Sequence, residues 1–125
     1  MVKITLKWSA FVGYDAYNSN KIPDEKGVYE YFIRLKNGNS KIIYVGQADD
    51  VRQRSVDHLL ESEKNECLKK NLKEIKWDFR YALLPLEADR QDAEQALYDI
   101  HKPECNQVRP SGSGRKIPSE IEETS

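Results

Sequence analysis

Residues 27–46, GVYEYFIRLKNGNSKIIYVG, decide the predicted fold. Two runs rich in β-branched and aromatic residues flank a short polar segment that contains Asn37-Gly38. An Asn-Gly pair favours the tight turn of a β-hairpin, because both residues tolerate a positive φ angle. The stretch therefore predicts two antiparallel strands joined by a turn.

Two amphipathic helices are predicted after this hairpin. Asp49 or Asp50 can cap a helix that runs to about residue 60, and a second helix is expected over about residues 62–75. The apolar residues of the second helix recur at helical spacing; they are Leu68, Leu72 and Ile75.

A third strand and a third helix complete the predicted unit. The segment WDFRYALLP, residues 77–85, is β-prone and ends at a proline. The helix is expected over about residues 88–101, with Ala93, Ala96, Leu97 and Ile100 facing inward. The order is ββααβα, which predicts an α+β fold with a small three-stranded antiparallel sheet flanked by three helices.

The flanking segments have a different composition. Residues 1–26 combine the β-prone stretch VKITLKWSAFVGY with a polar loop, which predicts an N-terminal strand or arm, that is, a β extension ahead of the main domain. The main domain is expected over residues 27–108. Residues 109–125 are rich in Ser, Gly and charge, which predicts a flexible C-terminal tail.

The composition of the chain predicts a cytoplasmic globular protein. No apolar run approaches the roughly 18 residues of a membrane span, and the N-terminus lacks the apolar core of a signal peptide. The net charge of -1 gives no overall attraction to a polyanion, so nucleic-acid binding would require local clusters. Cys67 and Cys105 have no CxxC spacing, which disfavours a zinc cluster and predicts unpaired thiols in a reducing compartment.

Several side chains could together hydrolyse a phosphodiester, a reaction that needs an activated water and cationic groups at the phosphate. The candidates are Tyr29 and Tyr44 on the two hairpin strands, Arg54 and His58 on the first helix, and Glu94 on the third helix. Arg and His four residues apart share one helical face and can converge on a phosphate. Each residue alone also has an ordinary structural reading, such as a packed tyrosine or a solvated glutamate.

The pattern resembles the GIY-YIG nuclease superfamily. Its signature is matched by Gly27-Val28-Tyr29, by Tyr44-Val45-Gly46, by Arg54 and His58, and by Glu94 and Asn106. The resemblance covers about residues 27–106. A His four residues after the Arg makes the chain similar to the homing-endonuclease and restriction-enzyme branches. Gln47 is a departure, because many relatives, notably repair nucleases, have a Lys at that position.

The resemblance implies a role for each residue in a catalytic domain. Tyr29 would act as the general base or orient the attacking water, helped by Tyr44 or His58. Arg54 would hold the scissile phosphate, and Glu94 would be the sole protein ligand of one Mg²⁺ (or Mn²⁺) ion. The expected supporting residues are Gly27, Gly46 and Asn106.

The expected activity is therefore endonuclease cleavage of nucleic acid, with DNA the favoured substrate. Lys69, Lys73 and Lys76 form one stripe of the second helix and could contact the nucleic-acid backbone, although such a stripe is also typical of a solvated face. The alternative is a catalytically inactive nucleic-acid-binding or regulatory module on the same fold. No membrane partner is expected, and the sequence leaves open whether a homodimer or a separate partner supplies specificity.

Overall fold

The computed structural model describes residues 1–125 and is built around a four-stranded antiparallel sheet. The strands are β2 (Val12–Gly13), β3 (Gly27–Arg34), β4 (Ser40–Ala48) and β5 (Trp77–Leu83), in the spatial order β2-β5-β3-β4. Strand β4 therefore lies at one edge of the sheet.

A separate two-stranded sheet joins the two ends of the chain. Strand β1 (Val2–Lys7) pairs in parallel with β6 (Ser119–Thr124), from Val2 opposite Ser119 to Lys7 opposite Thr124. Parallel pairing requires a long connection, and here the whole domain provides it.

Three α-helices connect and cover the sheet. They are α1 (Val51–Asp57), α2 (Glu66–Glu74) and α3 (Glu87–His101), and a 3-10 helix occupies Ser19–Lys21. The Asp50 side chain caps α1 by accepting a hydrogen bond from the Gln53 amide, and Asn65 caps α2 in the same way through Leu68. None of the helices is long and apolar enough to cross a bilayer.

Side chains alternate between the two faces of the sheet along β3. Each face is covered by other elements of the chain. Tyr29, Tyr31 and Ile33 point to the face packed by α1 and α2, whereas Val28 belongs to the opposite face. That second face is covered by α3 and the β1–β6 pair through Ile4, Leu6, Trp8, Ala93 and Leu97.

The α+β class, the N-terminal β extension and the ββααβα order are confirmed, but the predicted number of strands is wrong. Val12–Gly13 adds a fourth strand by pairing with Phe79 and Asp78 of β5. The two-residue strand is too short to produce an alternating pattern of its own. The hairpin is present, but its turn is longer than a two-residue Asn-Gly turn: residues 35–39 join the strands, and Gly38 alone has a positive φ, of 87°.

The prediction of a flexible tail over residues 109–125 is also wrong. Strand β6 pairs with β1. The segment before β6 also forms hydrogen bonds and an ion pair with side chains of α3. Arg109 forms a two-point ion pair with Asp99, and the Ser113 amide donates to Asp92 at 2.8 Å. The polar and charged residues of this segment, which suggested disorder, instead form these contacts.

The prediction of two unpaired thiols is wrong as well. Cys67 in α2 and Cys105 after α3 form a disulfide across a sequence separation of 38 residues. The fold brings them together, because the segment that carries Cys105 lies beside β4. The Cys105 amide donates a hydrogen bond to the Ile43 carbonyl. The argument for a reducing compartment no longer holds.

Two residues predicted to face the core are exposed. Leu68, Leu72, Ala93 and Leu97 are buried as expected, but Ile75 is 38% exposed and Ile100 is 63% exposed. Ile75 follows the last residue of α2, and Ile100 lies beyond Leu97, where the buried stripe of α3 ends.

Candidate active site

The Tyr29 ring crosses over Gly46 on the neighbouring strand. The two residues are paired in register, so they share one face of the sheet. A Cβ atom at position 46 would overlap the Tyr29 Cζ and Oη atoms, so only glycine leaves room for the phenol. Gly46 thus lets the Tyr29 hydroxyl reach across β4.

The Tyr29 hydroxyl meets a buried histidine that a glutamate orients. Tyr29 Oη lies 2.7 Å from His58 Nε2, and His58 Nδ1 lies 2.8 Å from Glu63 Oε2. Because the Glu63 carboxylate accepts the Nδ1 proton, Nε2 is left as the acceptor for the phenol proton. The three side chains form a continuous path for a proton.

Burial determines the ionisation of this path. It raises the pKa of Tyr29 strongly, and Arg54 opposes that rise. Burial, with the nearby Arg54 cation, also lowers the pKa of His58 below its usual 6.5, although Glu63 favours the charged ring. The phenol and a neutral imidazole are therefore the forms present near neutral pH.

Arg54 is the exposed cation beside this buried pair. Its side chain is 44% exposed and lies 3.7 Å from Asp57. It lines an open cavity of about 340 Å³ together with Asp57, Ser62, Glu63 and Lys64. A guanidinium in this position can receive a phosphate from solvent and still favour ionisation of Tyr29.

Glu94 lines a second cleft, at the free edge of β4. The cleft has a volume of about 320 Å³, and its walls include Tyr44, Asn65, Glu94 and Asn106. Burial raises the pKa of Glu94 to about 7, and the Gln47 amide, which donates to the carboxylate, opposes the rise. Glu94 takes part in no ion pair with a basic side chain.

Asn106 fixes the edge strand beside the cleft. Its Oδ1 accepts from the Val45 amide and its Nδ2 donates to the Val45 carbonyl, each at 2.9 Å. One side chain thus satisfies both outward-facing groups of a residue that lies between Tyr44 and Gly46.

Gly27 permits a close contact at the start of β3. A Cβ atom here would lie 2.5 Å from the Ala82 carbonyl oxygen and 3.1 Å from Val51 Cγ2. The glycine therefore lets β5 and the first turn of α1 approach the strand that carries Tyr29.

Most of the predicted residues meet, but they divide between two cavities. The ring centres of Tyr29, Tyr44 and His58 lie 5.4–6.2 Å apart. Arg54 lines one cavity, whereas Tyr44 and Glu94 line the other. Burial raises the pKa of Tyr44, and Arg54 opposes the rise.

The predicted lysine stripe is partly neutralised in the structure. Lys69 and Lys73 both form ion pairs with Glu61, at 3.6 and 2.5 Å, and Lys69 also donates to the Glu61 carbonyl. Contact of Lys69, Lys73 and Lys76 with nucleic acid stays a prediction.

Sequence reasoning missed Glu63 and Arg90. Glu63 is five residues after His58, outside α1, so no helical spacing links them. Arg90 is 2% exposed and joins α3 to the loop before α1, with Nη2 donating to Asp49 at 2.9 Å. An arginine on the apolar stripe of α3, four residues before Glu94, was the available signal.

Comparison with known proteins gives one group of relatives. A stretch of 99 aligned residues, 75% of this chain, is 33% identical to a curated bacterial protein. The chain is similar to UvrABC system protein C. UvrABC system protein C from two strains of Borreliella burgdorferi and from Borrelia garinii subsp. bavariensis gives the same identity and coverage.

The chain spans 15% of the length of these UvrABC system protein C relatives. No protein-family model matches the chain. The similarity is consistent with the GIY-YIG resemblance, whereas the expected closeness to homing endonucleases and restriction enzymes stays a prediction.

Proposed function

We propose that the chain is a metal-dependent endonuclease that hydrolyses phosphodiester bonds of DNA. The similarity to UvrABC system protein C supports a DNA endonuclease in general terms. The observation that carries the proposal is the hydrogen-bonded path from Tyr29 through His58 to Glu63, flanked by an exposed Arg54. A purely structural domain has no need for such a path next to an exposed cation.

Glu94 suits a single Mg²⁺ or Mn²⁺ ion. Its carboxylate is half-buried, has a pKa raised to about 7 by that burial, and has no basic side chain to neutralise it. Mg²⁺ accepts one protein carboxylate and completes its shell with water and phosphate oxygens. When bound, the ion would neutralise charge that develops on the phosphate and the leaving oxygen.

The phosphate binds to Arg54 in this proposal. Its planar guanidinium offers paired donors to two phosphate oxygens and stays charged throughout the reaction. Because the side chain is exposed on one side and close to Tyr29 on the other, it connects the bound phosphate to the buried proton path.

The attacking water loses its proton to the tyrosine pair. Tyr29 is 1% exposed, whereas Tyr44 lines the cleft, so water reaches the pair on the Tyr44 side. Tyr29 then passes a proton to His58 Nε2, and the Glu63 carboxylate stabilises the imidazolium that forms. His58 is thus the final proton acceptor; as the water oxygen bonds to phosphorus, the bond from phosphorus to the leaving oxygen breaks, and that oxygen takes a proton from solvent water.

The proposal is tested with purified protein on supercoiled, linear, branched and single-stranded DNA, with Mg²⁺ or with EDTA. Cleavage is expected with Mg²⁺ alone and is expected to be lost in Glu94→Ala and Arg54→Ala. Glu104→Gln, at an exposed glutamate paired with Lys41, is the matched control and should cleave normally. Cleavage by both active-site variants would overturn the assignment, and DNA binding without any cleavage would favour the inactive binding module.

The role of Glu63 is tested by Glu63→Gln. The amide cannot stabilise a charged imidazole, so the cleavage rate should fall by roughly 10²–10⁴-fold, the range for losing general acid–base assistance. The acidic limb of the pH–rate profile should also move to lower pH, because Glu63 raises the pKa of His58 and the proton acceptor loses that counter-charge. An unchanged rate and pH profile would show that Glu63 only packs against His58.

A further inference from the structure

Glu30 is a fully buried carboxylate on the sheet face opposite Tyr29. It is 0% exposed, and its Oε1 atom accepts a hydrogen bond from Arg80 Nε at 2.7 Å. The other oxygen, Oε2, is buried and has no hydrogen-bond partner. A buried carboxylate oxygen without a partner is costly and calls for a ligand.

Two further metal-ligating side chains lie beside Glu30. They are His101, the last residue of α3, and Glu123 of β6. One ligand atom from each of Glu30, His101 and Glu123 lies within 4.8 Å of the other two. The three residues come from three separate elements, so their convergence does not follow from local helical or strand spacing.

We propose that Glu30, His101 and Glu123 bind a divalent transition-metal ion, with Zn²⁺ as the representative. Zn²⁺ binds both His nitrogen and Glu oxygen, so one imidazole and two carboxylates can supply three ligands, with the fourth position open to water. The set differs from the oxygen-only environment that suits Mg²⁺ at Glu94.

The neighbouring donors orient both carboxylates for such an ion. Arg80 holds Oε1 of Glu30, and the indole of Trp8 donates to Oε1 of Glu123 at 2.9 Å. Each carboxylate is therefore fixed through one oxygen, with its second oxygen available to a metal. Metal-binding carboxylates are commonly held by hydrogen bonds of this kind.

The charges allow a cation to bind beside Arg80. Arg80 contributes one positive charge against the two carboxylates, and its guanidinium packs over the Trp8 ring, 4.3 Å from the ring centre. When both carboxylates are ionised, as metal binding requires, the carboxylates and Arg80 together carry one net negative charge. A divalent ion would pair Glu30 Oε2, which no side chain of the chain satisfies.

A bound ion would join β3, the end of α3 and β6. Strand β6 is otherwise held by β1 and by contacts with α3. The metal would therefore stabilise the C-terminal strand and, unlike the proposed Mg²⁺ ion, would lie away from the cleft lined by Tyr44 and Glu94.

The test is calorimetric titration of Zn²⁺ into the full chain after treatment with EDTA. Glu94→Gln serves as the background, so that the cleft carboxylate does not contribute. One ion is expected to bind per chain, and His101→Ala should weaken binding by roughly tenfold or more, since even loss of an outer hydrogen bond has that effect. Glu122→Gln, a neighbouring exposed glutamate of β6 paired with Lys3, is the matched control and should bind as the background does.

Two further measurements complete the test. Zn²⁺ should raise the melting temperature of the background protein and of the Glu122→Gln control, but not of His101→Ala, because only a ligand that binds the folded state stabilises it. Glu123→Gln keeps an acceptor for Trp8 and should lose Zn²⁺ affinity as His101→Ala does. Absence of Zn²⁺ binding, or binding unchanged in both variants, would overturn the site.

Discussion

At the scale of single residues, the pairing of Gly46 with Tyr29 in the sheet determines where the Tyr29 hydroxyl lies. The phenol occupies the volume in which any other residue at position 46 would place its Cβ atom. The GIY-YIG resemblance named this glycine as a supporting residue, and the close approach gives that role a steric reason.

Gly46→Ala is expected to displace the Tyr29 ring. The overlap should destabilise the fold by about 1–3 kcal/mol, as overpacking does, and should separate the hydroxyl from His58. Urea unfolding and the cleavage assay measure the two effects. Gly38→Ala is the control, because no atom lies within 4 Å of the added methyl group; its positive φ costs about 1–2 kcal/mol, but cleavage should be unchanged. Equal effects of both substitutions would argue against the overlap.

Glu94→Gln is expected to stabilise the protein at alkaline pH while abolishing cleavage. The pKa is about 7 in the folded state against 4.5 in the unfolded chain, so the folded state holds more protons between these values. Its contribution to stability is therefore lost as pH rises from about 4.5 to about 7, and glutamine avoids that loss.

The expected gain is about 1–2 kcal/mol near pH 8, after a discount for partial exposure, and about zero near pH 4. Urea unfolding at both pH values, in EDTA, measures it, with Glu104→Gln as the exposed control. A variant that is no more stable than the wild-type protein near pH 8 would mean that Glu94 is well solvated.

At the scale of elements, the free edge of β4 depends on the Asn106 side chain. The amide replaces a neighbouring strand at Val45 through one accepted and one donated hydrogen bond. Tyr44 and Gly46 flank this residue, so the edge sets the positions of both.

Asn106→Ala is expected to cost about 1–3 kcal/mol, because two backbone groups lose their partner. The amide protons of residues 44–46 should exchange faster with solvent, and cleavage should fall. Asn106→Asp separates the two bonds, since a carboxylate still accepts from the Val45 amide but cannot donate to its carbonyl. Unchanged exchange at residues 44–46 in Asn106→Ala would rule out this support.

Element order was predictable because its signals are local. The Asn37-Gly38 turn and the cap at Asp50 lie within four residues of the structure they specify. The partner of His58 was not predictable, because Glu63 reaches it from the loop between α1 and α2. The resemblance supplied candidate residues, but their division between two cavities depends on tertiary packing.

At the scale of the whole molecule, the Cys67–Cys105 disulfide holds α2 against the segment that carries Asn106. No spacing rule predicts a pair 38 residues apart, just as the composition of residues 109–125 did not predict their pairing with β1. Both contacts depend on elements that are distant in sequence.

Removal of the disulfide by Cys67→Ala with Cys105→Ala should lower the free energy of unfolding by about 4 kcal/mol, the value that loop-closure entropy gives for this separation. Thermal unfolding with and without a reductant measures the change. The reductant should lower the melting temperature of the wild-type protein and leave the double variant unaffected. An equal effect on both would show that the reductant acts elsewhere.

The parallel pairing of β1 with β6 has a consequence for how the chain matures on the ribosome. Translation delivers residues 2–7 more than a hundred residues before their hydrogen-bonding partners, residues 119–124. During that interval Ile4 and Leu6, which are buried in the finished domain, lack part of their cover. The nascent polypeptide thus exposes an aggregation-prone segment until residues 119–124 have been made, a period in which chaperone assistance has the most value.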